Sequence, residues 1–145
     1  MARKNSMIRK VVLSSLFSVG LVAGAQAQVC SDTELYGHMQ TLAENLRPVS
    51  QAIRSNDFNQ AQPLVTEMLA AAQGAQQETP FRFRTGASED DIANYQRAIQ
   101  RLVDEFETLS VAVNNQDAQT ASTVLRSLSE MRRQGHGQFK DRTCR

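Results

Sequence analysis

The chain has 145 residues, 16 of them Lys or Arg and 15 Asp or Glu, with 41% hydrophobic residues, 6% aromatic residues and no Trp. That length suits one compact domain with a modest core. The charges are nearly balanced and form no long single-sign run, which argues against a nucleic-acid-binding surface.

Residues 1–27 read as a secretory signal rather than as part of the fold. Arg3, Lys4, Arg9 and Lys10 make a positive start, Val11 to Gly24 is apolar, and Ala25-Gln26-Ala27 is a small-x-small cleavage site. The apolar run is too short and too interrupted by serine and glycine for a membrane-spanning helix. Val29 before Cys30 does not suit lipid attachment, so no stable membrane anchor is expected. The mature protein, residues 28–145, is expected to be exported to the periplasm as one domain. Four basic residues leave with the signal, so 12 basic and 15 acidic residues remain, a net charge of −3.

Cys30 and Cys144 are the only cysteines. An oxidising compartment makes an internal disulfide the natural pairing, with free thiols or a bond between molecules as the alternatives. Closing so long a loop would add about 4–5 kcal/mol of stability on the chain-entropy model. An antiparallel bundle with an even number of helices would bring both termini to one end.

The rest of the chain has helical periodicity. Ser31 and Asp32 are candidate N-caps, with Glu34 in the first turn. Leu35, Met39, Leu42, Leu46, Val49 and Ile53 then recur at helical spacing. Pro48 should loosen the later turns, and Ser55-Asn56-Asp57 ends the helix. A second helix begins near Phe58 with a stripe of Leu64, Met68, Ala71, Ala72 and Ala75. Pro63 lies in its early turns, where proline is best tolerated, and Thr79-Pro80 stops it.

Phe81 to Ser88 reads as a loop carrying Arg82 and Arg84. Ser88 followed by Glu89, Asp90 and Asp91 predicts the start of a third helix. Its face is Ile92, Tyr95, Ile99, Leu102, Phe106, Leu109 and Val113, and Asn114 to Asp117 makes the next turn. The fourth helix runs from about Ala118 to Lys140, with Ala121, Val124, Leu125, Leu128, Met131 and Phe139 inward. No segment alternates with period two. The expected fold is therefore all-α, an antiparallel up-down-up-down four-helix bundle.

Catalytic constellations are absent: the chain has no serine–histidine–acid set, glycine-rich phosphate loop or paired Glu-x-x-His motif. No Cys-x-x-Cys-His occurs, which excludes the usual covalent haem attachment. In the expected topology Met39 and His136 fall at the same end of the bundle. A thioether and an imidazole facing each other across an apolar pocket can ligate haem iron. Met39 is equally read as a packing residue of its stripe.

His136 lies eleven residues after Leu125, nearly three turns, so the two project the same way. Gly135 and Gly137 beside it cost about 1 kcal/mol each in a helix. They suit either a planar group pressing on the backbone or a fraying end. His38 points about 100° away from Met39 and is a rival ligand or a boundary histidine. Arg132, one turn before His136, could fork onto a haem propionate or simply interact with the helix dipole.

Four stretches resemble the cytochrome b562 family of periplasmic proteins. They are Met39 to Leu46, Met68 to Pro80, Leu102-Val103, and Leu128 to Lys140 with Arg132, His136 and Phe139. Their shared order and spacing carry the likeness. It implies a four-helix bundle holding one non-covalent haem b, with Met39 and His136 as axial ligands. It also implies a haem pocket that includes Leu42, Leu46, Met68, Tyr95 and Ile99. Tyr95 and Ile99 stand where the family usually has phenylalanine, Gly135 replaces an aromatic, and the terminal cysteines are additional.

The expected protein is a non-enzymatic, monomeric electron carrier with an unidentified periplasmic redox partner. The alternative is a haem-free periplasmic bundle acting as a binding module or a copper binder.

Overall fold

The computed structural model describes residues 29–144; the expected signal segment, 1–27, lies outside them. Its first helix starts slightly later than the Ser31-Asp32 signal suggested. Cys30–Asp32 form a single 3-10 turn, in which Asp32 accepts a hydrogen bond from the backbone N–H of Val29. With that carboxylate occupied, Thr33 becomes the cap, and its Oγ1 accepts from the backbone N–H of Tyr36 at 3.2 Å.

Helix α1 then runs Glu34–Arg54, and Pro48 lies inside without ending it. Helix α2, Phe58–Ala75, is capped by Asp57 and stops four residues before the Thr79-Pro80 signal. The expected loop after it contains a 3-10 turn, Phe81–Thr85. Helix α3, Glu89–Asn114, begins with a capping box in which Ser88 and Asp91 satisfy each other's backbone N–H groups. Helix α4, Ala118–Phe139, is capped by Asp117.

The two tight turns are copies of each other. Asn56 and Gln116 both adopt the left-handed conformation, with φ of 56° and 57°. Asp57 N–H donates to the Ala52 carbonyl, and Asp117 N–H donates to that of Ala112, each at 2.8 Å. The likeness extends into the core. Val49, Ala52, Ile53, Ala61, Val65 and Met68 recur sixty residues later as Leu109, Ala112, Val113, Ala121, Leu125 and Leu128, all buried. The bundle is thus two similar helical hairpins, α1–α2 and α3–α4, packed on one another.

Each tight turn makes its two helices antiparallel neighbours, and α2 packs on α3. The α1–α4 seam is the loosest of the four. Two apolar clusters fill the interior. The larger spans the middle of the bundle and the end holding the tight turns; Leu109, Val49 and Ala72 are fully buried in it. The smaller groups Ala75, Tyr95 and Ile99 with Leu35, Met39, Phe83 and Phe139.

Most of the expected stripe residues face these clusters, but Ile92 is 47% exposed because it sits in the first turn of α3, beyond the packed layers. Ala61, Val65, Val103 and Ala112 are buried although the expected faces omitted them. A buried helix face is wider than one 3–4 line, so it takes in flanking positions. Among the described residues no helix is long and apolar enough to cross a membrane.

Candidate functional site

At the end of the bundle that holds Cys30 and Cys144, the loose α1–α4 seam opens into a cavity of about 470 Å³. This is within the range of about 300–1,000 Å³ typical of cofactor and small-molecule pockets. Leu35, Leu42 and Leu46 of α1 form one wall, with Ile99, Leu102 and Phe106 of α3 and Leu128 of α4 completing an apolar lining. Helix α2 contributes only Met68.

All eight residues expected at the site meet in this one space: Met39, His136, Leu42, Leu46, Met68, Tyr95, Ile99 and Arg132. Met39 comes from α1 and is half-buried, packed against the smaller apolar cluster. His136 comes from α4 and is more exposed, because the last turns of α4 extend past the packed core and glycines flank it. The duplication of the hairpin breaks here. Ile99 occupies the place in the second hairpin that Met39 has in the first, and Gln76 corresponds to His136. The counterpart α2–α3 seam therefore lacks both the thioether and the imidazole at these places.

The rival histidine is turned away. His38 does not line the cavity; its ring packs against Gly74 on α2. Gly135 and Gly137 lie within α4 and do not mark a frayed end. A Cβ on either would meet nothing within 4 Å, and Gly135 borders the cavity. No protein group presses on that backbone, so the space is open to a ligand.

The electrostatics suit a neutral ligand imidazole. Burial, then the positive charges of Lys140 and Arg132, hold His136 below its ordinary pKa of 6.5. Its ring is therefore unprotonated at neutral pH, and a nitrogen lone pair is free to coordinate a metal. Tyr95 is the reverse case, since burial raises its phenol pKa further above the usual value, with Glu78 adding to the effect. Its O–H donates to the Ala75 carbonyl at 2.8 Å, tying the last turn of α2 to α3. The Tyr95, Phe83 and Phe139 rings pack edge to face, with centroids 5.4–6.4 Å apart.

The mouth is braced covalently and by ion pairing. Cys30 and Cys144 are bonded, with their Cα atoms 5.4 Å apart, and both border the cavity. Arg84 pairs with Asp141, and Arg82 donates to the Gln138 carbonyl at 2.8 Å. Sequence reading missed these loop contacts, and also Arg101 and Phe81 on the cavity wall. Nothing in their spacing signalled a role, since they reach the site through the fold of the 76–88 connection and the α3 face. Among the described residues no group of three or more His, Cys, Asp or Glu could hold a metal ion.

A family model described as cytochrome b562 matches residues 34–140, from the first turn of α1 to the residue after α4. No curated protein matches the chain.

Proposed function

The chain belongs to the cytochrome b562 family, and from that premise we propose a periplasmic electron carrier holding one b-type haem non-covalently between Met39 and His136. The observation that carries this reading is the apolar cavity in the α1–α4 seam, with the two donors contributed by different helices. The donor chemistry and the open face at Gly135 fit a large planar group. Both cysteines are committed to one disulfide, so neither thiol is free to attach a porphyrin.

When bound, haem supplies a one-electron iron couple. Met39 offers a neutral thioether, whose ligation favours the reduced state and raises the potential. His136 offers an imidazole held neutral by its surroundings. Leu42, Leu46, Met68 and Ile99 exclude water from the faces of the slot, and Arg132 at the rim is placed to pair with a carboxylate. Two protein ligands leave no open coordination position, which favours electron transfer over catalysis.

Titration of the purified mature chain with haemin tests this. A sharp Soret band with resolved α and β bands on reduction is expected. Failure to bind haemin at micromolar concentration overturns the reading in favour of a haem-free bundle.

A further inference from the structure

A second concavity, about 930 Å³ in volume, lies on the outer side of the same end of the bundle, between the Phe81–Thr85 turn, α3 and the last turn of α4. Its character differs from that of the apolar slot. Arg82, Arg97 and Arg101 all line it, and all three are exposed. Among the described residues the side-chain hydrogen bonds of Arg82 and Arg97 go to neutral groups, the Gln138 carbonyl and the Asn94 side chain.

Asp91 is the one acidic residue lining the cleft. Its Oδ2 already accepts from both the N–H and the hydroxyl of Ser88 in the α3 capping box. Those hydrogen bonds, more than the nearby Arg82, hold its carboxyl below the usual range. The cleft therefore presents an excess of positive charge, three guanidinium groups against the one carboxylate of Asp91, on a mature chain whose acidic residues outnumber its basic ones.

The two concavities share a wall: Arg101, Gln138 and Phe139 line both. Phe83 on the cleft side and Tyr95 on the slot side pack edge to face on Phe139 and on each other. A partner seated in the cleft is thus separated from the slot by roughly one layer of side chains.

We propose that the Arg82–Arg97–Arg101 cleft is the docking surface for an acidic face of a protein redox partner. The proposal deepens the haem reading and rests on it for the partner's role. Three features on the page favour a protein face. The cleft is open and broad, guanidinium groups recognise carboxylates in a forked geometry, and a positive cleft on an otherwise acidic molecule selects the approach that brings the partner to the slot. The net negative charge of the remainder of the mature chain disfavours unproductive encounters with the same partner.

The test is an NMR titration of the mature chain with a hexaglutamate peptide, with and without haemin. Expected are amide shift changes confined to the neighbourhoods of Arg82, Arg97, Arg101 and Gln138, diminishing as salt shortens the screening length. Arg82→Glu with Arg97→Glu should weaken peptide binding by roughly tenfold or more, as loss of paired charges implies. Arg97 neither lines the slot nor braces its mouth, so Arg97→Glu alone should weaken peptide binding while its helical content and haemin spectrum match the parent.

Shifts centred on Arg47, Arg54 or Arg126, or none at all, overturn the proposal. Equal shifts with citrate at the same carboxylate concentration overturn it in favour of a small-anion site. If hexaglutamate binds the cleft while haemin fails to bind, the haem reading falls and the acidic docking surface stands.

Discussion

The imidazole of His38 occupies the space that a side chain at Gly74 would need. A Cβ built there would lie 2.5 Å from Nε2 and 2.9 Å from Nδ1. Glycine permits this approach of α1 to α2, and the contact keeps His38 off the slot that Met39 enters one residue later.

Gly74→Ala should therefore destabilise the protein. Helix propensity alone would favour alanine by about 1 kcal/mol. Overpacking against a ring costs about 1–3 kcal/mol and should outweigh that gain, for a net loss of up to about 2 kcal/mol. In a His38→Ala background the same substitution should become stabilising. Denaturant unfolding of the four chains forms a cycle, and simple additivity would mean that the two residues do not oppose each other.

Met39→Ala tests the ligand assignment. The substituted chain should take up haemin at least roughly tenfold more weakly, a loss of about 1.4 kcal/mol or more. Its spectrum should become that of five-coordinate or water-bound iron. Persistence of the low-spin spectrum would assign the position to another side chain, and His38→Ala on top of Met39→Ala would identify or eliminate the histidine.

Reduction of the Cys30–Cys144 bond should destabilise the bundle more than any single surface change. The bridged residues are 114 positions apart, for which the chain-entropy model gives about 4–5 kcal/mol as an upper figure. A fall in Tm of roughly 10 °C or more is expected between oxidised and reduced samples. An unchanged melting curve would mean that the bond constrains little.

Tyr95→Phe should cost about 1 kcal/mol through loss of the hydrogen bond to the Ala75 carbonyl. The ring packing with Phe83 and Phe139 stays, so haemin binding should be retained. A loss of stability with an unshifted Soret band separates this bracing role from direct contact with the cofactor.

Haem affinity should be flat down to about pH 6.5 and fall at lower pH by at most about tenfold per unit. Ligation requires neutral His136, whose pKa is lowered by burial and by Lys140 and Arg132. A group with a folded pKa below its unfolded value contributes stability above the unfolded pKa and loses it as pH falls. Asp141 has the same sign: its hydrogen bonds to Thr143, then Arg84, lower its pKa, so its contribution should be lost only in strong acid. A Soret titration across pH should therefore report His136, with the Arg84–Asp141 pair intact throughout.

Periodicity and caps made the four helices legible. Ser88 before three acids is a local signal that the backbone obeys, while Asp57 and Asp117, legible only as turn residues, also cap α2 and α4. The stripes also placed Met39, Leu42, Leu46, Tyr95 and Ile99 on faces that meet, because helical phase alone decides which side chains share a side. Other features depend on tertiary geometry that spacing does not encode. Ile92 fits the α3 stripe but falls outside the packed layers. His38 looked like a rival donor until Gly74, thirty-six positions away, took up its ring. Arg101 carries no motif and reaches the slot wall only because α3 packs beside α4. The repeated hairpin emerged only from the buried positions of the fold, and its meaning is clear where it fails, at Met39 against Ile99.

The bond between Cys30 and Cys144 links the exit of α4 to the entry of α1, as residues 76–88 link α2 to α3. Backbone and disulfide together make a covalent ring through all four helices. A ring has no privileged beginning. Cutting the main chain at Asn56 or Gln116 would leave every helix tethered on at least one side, in a rotated order. The seam where the ring is joined by sulfur is the one side that chemistry can open and close without breaking the backbone.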